Sequence, residues 1–157
     1  MSLFFCYFLY LKVEVDNSMN NNNELKVAMI GGWGHGGYII NDFNNNNPEN
    51  AKLVAMGQTT PEEALWDLPD KFEDVTSYSD YKKMLAEVKP DVAVVSTGLD
   101  QINQAAVDAA EAGCNIICEK PIAASYDQLH NLYQAVKSND VNCILLLDNR
   151  EDPYFQA

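Results

Sequence analysis

Residues 25–40, "LKVAMIGGWGHGGYII", decide the fold. The first six are apolar apart from Lys26, a pattern suited to a strand buried on both faces of a parallel sheet. Five glycines follow between positions 31 and 37, and then the apolar start of a helix. Gly32, Gly34 and Gly37 satisfy the spacing G-x-G-x-x-G. Between a strand and a helix, that spacing implies a backbone shaped to approach a pyrophosphate. Gly32 is expected to make the tight turn, Gly34 to let the backbone approach the anion, and Gly37 to let the helix pack close to the sheet. Gly32, Trp33, Gly34, His35, Gly36 and Gly37 together form the candidate cofactor loop, with the amides of the first helical turn aimed at the ligand. A flexible glycine-rich turn with no ligand is the competing reading.

Working outward, short aliphatic runs recur at residues 52–57, 91–97, 115–119 and 143–148, with a weaker one at 74–78. Helical patterns lie between them. "TPEEA" reads as a helix start, with Thr60 as N-cap, Pro61 in the first turn and Glu63 closing a capping box. "SDYKKMLAEVKP" starts at Ser79, places Tyr81, Leu85 and Val88 on one face, and stops at Pro90. "DQINQAAVDAAEAG" is capped by Asp100 and ended by Gly113. "SYDQLHNLYQAVK" pairs Ser125 with Gln128 as a capping box and sets Leu129, Leu132, Tyr133 and Val136 on one stripe. Alternating strands and helices predict an α/β, Rossmann-like doubly wound parallel sheet of order 3-2-1-4-5-6, with ligands at the carboxyl ends of the strands.

The 157 residues suffice for one ordinary domain. A formal net charge of −13 argues against nucleic acid and anionic membrane surfaces as partners. Cys6, Cys114, Cys118 and Cys143 form no CxxC pair, and three of them lie in apolar runs, as small core residues of a cytoplasmic protein do. His35 and His130 are the only histidines, and their spacing suggests no metal site. Residues 1–23 combine an apolar run too short to span a membrane with an asparagine-rich linker, and read as an extension outside the core. Residues 24–147 are the expected folded domain.

Two further places carry candidate chemistry. After the second strand, an Asp or Glu is expected to hold the adenosine ribose of NAD, but Gln58 and Thr59 stand there with no arginine behind them. NAD and NADP are both allowed, with a loose preference between them. Beyond the fifth strand comes "CEKPI", in which Glu119 and Lys120 read either as a solvated pair or as groups facing the crevice of the glycine loop.

With "KVAMIGGWGHGG", "DVAVVST", "AAVDAAEAGCNIICEKPI" and "LLLDNREDPYF" in view, residues 25–157 resemble the N-terminal half of the glucose–fructose oxidoreductase, inositol dehydrogenase and MocA family. The resemblance implies NAD- or NADP-dependent oxidation or reduction of a sugar, polyol or related compound. It puts Lys120 beside the nicotinamide and the reacting oxygen, and Glu119 on the nicotinamide side. Ser96, Thr97 and Gly98 would border the cofactor ribose and pyrophosphate. Gly98 and Ile102 replace the proline and histidine common in the family. Residues 148–157, including Asn149, Arg150 and Pro153, match a crossover towards a second α/β domain, which the resemblance implies would supply further catalytic residues and an oligomer surface. A non-catalytic NAD(P)-binding sensor and an inactive truncated product are the alternatives.

Overall fold

The computed structural model describes residues 24–46 and 48–147. Both terminal stretches, 1–23 and 148–157, lie outside the described residues, and the expectations for them with it. Strands β1 (Leu25–Ile30), β2 (Ala51–Gly57), β3 (Thr76–Tyr78), β4 (Val92–Val95), β5 (Asn115–Cys118) and β6 (Cys143–Leu145) form one sheet in the order β3-β2-β1-β4-β5-β6. Every pairing is parallel. The expected order and strand direction are both realised. The order reverses between β1 and β4, and ligands of such sheets sit beyond the carboxyl ends of the strands at that switch point.

Alternation along the strands divides the core into two layers. Ala28, Ile30, Ala93 and Val95 face one side, under α2 (Tyr81–Val88), α3 (Ile102–Glu111) and α4 (Tyr126–Ser138). Val27, Met29, Leu53 and Val94 face the other, under Ile39, Ile40 and Phe43 of α1 (Gly37–Asn46). Strands β1 and β4 have almost no exposed side chain in their paired halves, which is why they read as continuous apolar runs.

Helix starts follow short-range hydrogen bonding. The Asp80 carboxylate, rather than Ser79, caps α2 by accepting from the Lys82 N–H. That helix ends at Lys89 in the left-handed region, before Pro90. Ser125 caps α4 by accepting from the Gln128 N–H, while the Gln128 side chain accepts from Ala124 N–H. Asp100 does not cap α3. Gln101 occupies the N-cap without a side-chain bond, and the Gly98 carbonyl accepts from the Gln101 and Ile102 amides instead. Gly113, at φ +81°, ends the helix as expected.

Two further expectations fail. The helix at Thr60–Pro61–Glu63 does not form; residues 58–69 run irregularly, and Leu65, Trp66 and Leu68 pack on the core from a non-helical backbone. In α4 the inward face carries Leu132 and Ala135, while Leu129 and Tyr133 are exposed. The alanine-rich surface of α3 (Ala105, Ala106 and Ala109, all fully buried) draws α4 in along its smaller residues.

Candidate functional site

The glycine loop is pinned to β4 on both sides. Trp33 N–H donates to the Ser96 carbonyl at 3.0 Å, and Gly36 N–H donates to Ser96 Oγ at 3.0 Å. The Ser96 hydroxyl in turn donates to the Trp33 carbonyl. Gly31 turns the chain at φ +85°, where a Cβ would stand 2.5 Å from the Ser96 carbonyl oxygen. At Gly36 a Cβ would meet Ser96 Cβ and Oγ at 2.6 Å. A Cβ on Gly37 would touch only the Trp66 ring, at 3.2 Å or more. Gly32 has no more room than Gly31 or Gly36, since a Cβ there would stand 2.0 Å from the Ala64 carbonyl oxygen, so Gly31, Gly32 and Gly36 share the turning and close packing. Trp33, between them, is largely exposed.

Gly34, at φ +73°, is the second left-handed residue of the loop. The Glu119 carboxylate fits against it, so that a Cβ here would lie 2.8 Å from Oε2. The same Oε2 accepts from the His35 backbone N–H at 2.5 Å and lies 3.0 Å from His35 Nδ1. Lys120 N–H donates to Oε1 at 2.9 Å. Burial alone would raise the Glu119 pKa, but the His35 backbone and ring and the Lys120 amide outweigh it and hold the carboxyl below its ordinary value. The loop amide exposed by the left-handed Gly34 therefore holds an anion.

Lys120 follows directly at the end of β5. Its Nζ lies 3.8 Å from Glu119 Oε1 and its side chain is half-exposed. The path beyond it is fixed by Asn103, a buried side chain of α3 whose amide donates to the Ile122 and Gln128 carbonyls. Periodicity could have flagged Asn103 as a polar residue on the inward face of an apolar helix.

A third group of residues closes the crevice beyond β2. Gln58 spends its side-chain amide on the Glu63 carbonyl, at 2.6 Å. Thr59 donates to Glu63 Oε2 from its backbone N–H at 2.7 Å and its hydroxyl at 2.8 Å. Thr97, almost fully buried, donates to Glu63 Oε1 at 2.6 Å. Glu63 was read in the sequence as a helix cap; without the helix its carboxylate joins Thr59 to Thr97.

The profile of an oxidoreductase family with an NAD-binding Rossmann fold, GFO/IDH/MocA, matches residues 25–146. The chain belongs to this family. Levoglucosan dehydrogenase of Pseudarthrobacter phenanthrenivorans is 33% identical over 85 residues, which are 53% of this chain and 21% of that one. Among solved structures, the WlbA dehydrogenase of Bordetella pertussis, in complex with NADH and UDP-GlcNAcA, is similar at a TM-score of 0.71 and 21% identity, over 85% of this chain and 40% of that one. Apo scyllo-inositol dehydrogenase of Lactobacillus casei is similar at 0.68 and 21%, over 85% and 39%. The chain thus spans about a fifth of the curated relative's length and about two-fifths of each of these structures.

As the NAD-binding domain of a GFO/IDH/MocA oxidoreductase, residues 25–146 bring the glycine loop, Ser96–Thr97–Gly98, Gln58–Thr59 and Glu119–Lys120 to one end of one sheet. The Ser96 side chain is fully buried and its hydroxyl is engaged with the loop, so it positions the loop. Cys114 and Cys118 are buried free thiols, and burial raises both above the ordinary value, Cys114 to about 11. They serve as small core residues. Among the described residues no helix is long and apolar enough to cross a membrane.

Proposed function

We infer that this chain binds NAD or NADP in the crevice beyond β1 and β4, as the cofactor-binding part of an oxidoreductase acting on a CH–OH group of a sugar, polyol or related compound. The observation that carries this reading is the His35 amide, exposed by the left-handed Gly34 and already holding a carboxylate oxygen. A bound nicotinamide would supply the hydride acceptor or donor. The residues of the chain have separate tasks. Gly31, Gly34 and Gly36 let the loop backbone come close, and Ser96 holds it rigid. His35 N–H is the anion donor. Lys120, with Glu119 beside it, offers an ammonium that can hydrogen-bond the substrate hydroxyl and stabilise charge on its oxygen as the proton moves. Buried free thiols fit a reducing, cytoplasmic setting, and the full-length protein is expected to be a homo-oligomer.

Calorimetry with NADH and NADPH tests the binding step. Micromolar to millimolar affinity, about −8 to −4 kcal/mol, is expected for the chain, with binding abolished in Gly34→Val. Undiminished binding by that variant would remove the loop from the site. The catalytic step is tested in a full-length protein. There Lys120→Ala is expected to lower kcat by about 10²- to 10⁴-fold and to change cofactor affinity much less. Full kcat in that variant would make Lys120 a strand-end residue with no catalytic part. A wild-type protein that binds the cofactor but reduces or oxidises no polyol would be a sensor.

A further inference from the structure

Gln58 and Thr59 leave the end of β2 without the acid that usually meets the adenosine ribose, but the fold returns one from further along the chain. A turn closed by Glu63 N–H donating to the Thr60 carbonyl, at 3.1 Å, reverses the backbone at Pro61. Glu63 is thereby brought back over the ends of β1, β2 and β4. Its Oε1 lies 2.6 Å from Thr97 Oγ1, and a Cβ on Gly31 would stand 2.8 Å from the same oxygen. Its Oε2 is held by the Thr59 N–H and hydroxyl. The carboxylate therefore rests against the first turn of the glycine loop. It has three donors, all neutral, and makes no ion pair with Lys, Arg or His among the described residues.

A helix over residues 60–64 would have turned this side chain back onto its own first turn as a cap. The irregular backbone instead points it into the crevice. We propose that Glu63 is the cofactor-selecting residue of this chain, accepting hydrogen bonds from a ribose diol and repelling a 2′-phosphate, so that NAD(H) is bound in preference to NADP(H). The proposal rests on the dinucleotide reading of the site. It replaces the loose preference implied by Gln58 and Thr59 with a definite one. The charge supplies the discrimination. A carboxylate and a phosphate dianion at hydrogen-bond range in a partly buried site repel strongly, whereas a diol gains a charge-assisted bond.

Fluorescence or calorimetric titration of the 157-residue chain with NADH and with NADPH decides it, with Glu63→Gln alongside. The wild type is expected to bind NADH tighter by about 1,000-fold, the scale of one charge–charge contact at effective protein dielectric. Glu63→Gln keeps the shape and removes the charge. It is expected to bring the two affinities within about threefold of each other, by weakening NADH and strengthening NADPH. A wild-type ratio near one overturns the proposal without reference to any variant. So does a Glu63→Gln protein in which both affinities fall together, since that is the mark of a brace between Thr59 and Thr97. If the wild type binds neither dinucleotide, the reading of the whole site fails, an outcome separate from the other two.

Discussion

Two crossings leave the first half of the sheet, and they are built differently. The one after β1 turns at Gly31, is clamped twice by Ser96 and enters α1 through a buried glycine. The one after β2 has no helix through residues 58–69; Leu65, Trp66 and Leu68 pack on the core, and the Glu63 carboxylate reaches across to Thr97. In the first, backbone shape is enforced by close approach, with no room for a Cβ. In the second, shape depends on side-chain hydrogen bonds in a half-buried place. Steric enforcement tolerates no substitution, while hydrogen-bond enforcement tolerates many at modest cost.

The largest expected effect follows from that contrast. Gly36→Val drives its side chain into Ser96 and the end of Met29. It is expected to destabilise the chain by about 3 kcal/mol or more, the upper part of the overpacking range. Urea denaturation measures it, and a loss below 1 kcal/mol would mean that the loop yields as easily as the β2 crossing. Ser96→Ala comes next. It removes the acceptor of the Gly36 N–H and the donor to the Trp33 carbonyl, at a cost of about 1 to 2 kcal/mol by the same assay.

A smaller effect depends on pH. The folded state holds the Glu119 pKa below its ordinary value. The carboxylate thus adds stability at pH above its unfolded pKa, and this is lost as pH falls through the depressed folded one. Glu119→Gln is expected to flatten the acid limb of the stability curve below about pH 5, with little change at pH 8 in its slope. An unchanged limb would mean that the loop does not depend on the charged carboxylate. Smallest of all, native-state hydrogen exchange is expected to show amides of residues 62–68 opening more readily than those of Gly31, Trp33 and Gly36. Equal protection would erase the distinction between the two crossings.

Strand positions were legible because both faces of β1, β4 and β5 are covered, leaving uninterrupted apolar runs in the sequence. The misreadings share a cause in tertiary contacts. Thr60, Pro61 and Glu63 satisfy every local rule for a helix start, but the Glu63 carboxylate is claimed by Thr59 and by Thr97, 34 residues away. Five clustered glycines satisfy the phosphate-loop spacing in one register, while the close approaches are shared by Gly31 and Gly36, against Ser96, and Gly32, against Ala64. Helix α4 offered a broad apolar stripe, yet only contact with α3 determines that Ala135 turns inward and Tyr133 outward. Of the site, Glu119 and Lys120 were visible as a motif. The role of Glu63 depended on a turn that local sequence signals did not specify.

The carboxylate of Glu119 at the Gly34 turn has a consequence for how a ligand would arrive. The loop amide has an acceptor in the Glu119 carboxylate, which also lies against the Gly34 turn. Binding a pyrophosphate there would be a substitution of one oxygen for another rather than the ordering of a loose segment. The departing carboxylate would be released beside Lys120, the nearest cation to it in the sheet-end crevice apart from the His35 ring. Occupancy at the phosphate end would then be registered as a changed charge environment at the residue proposed to handle the substrate proton.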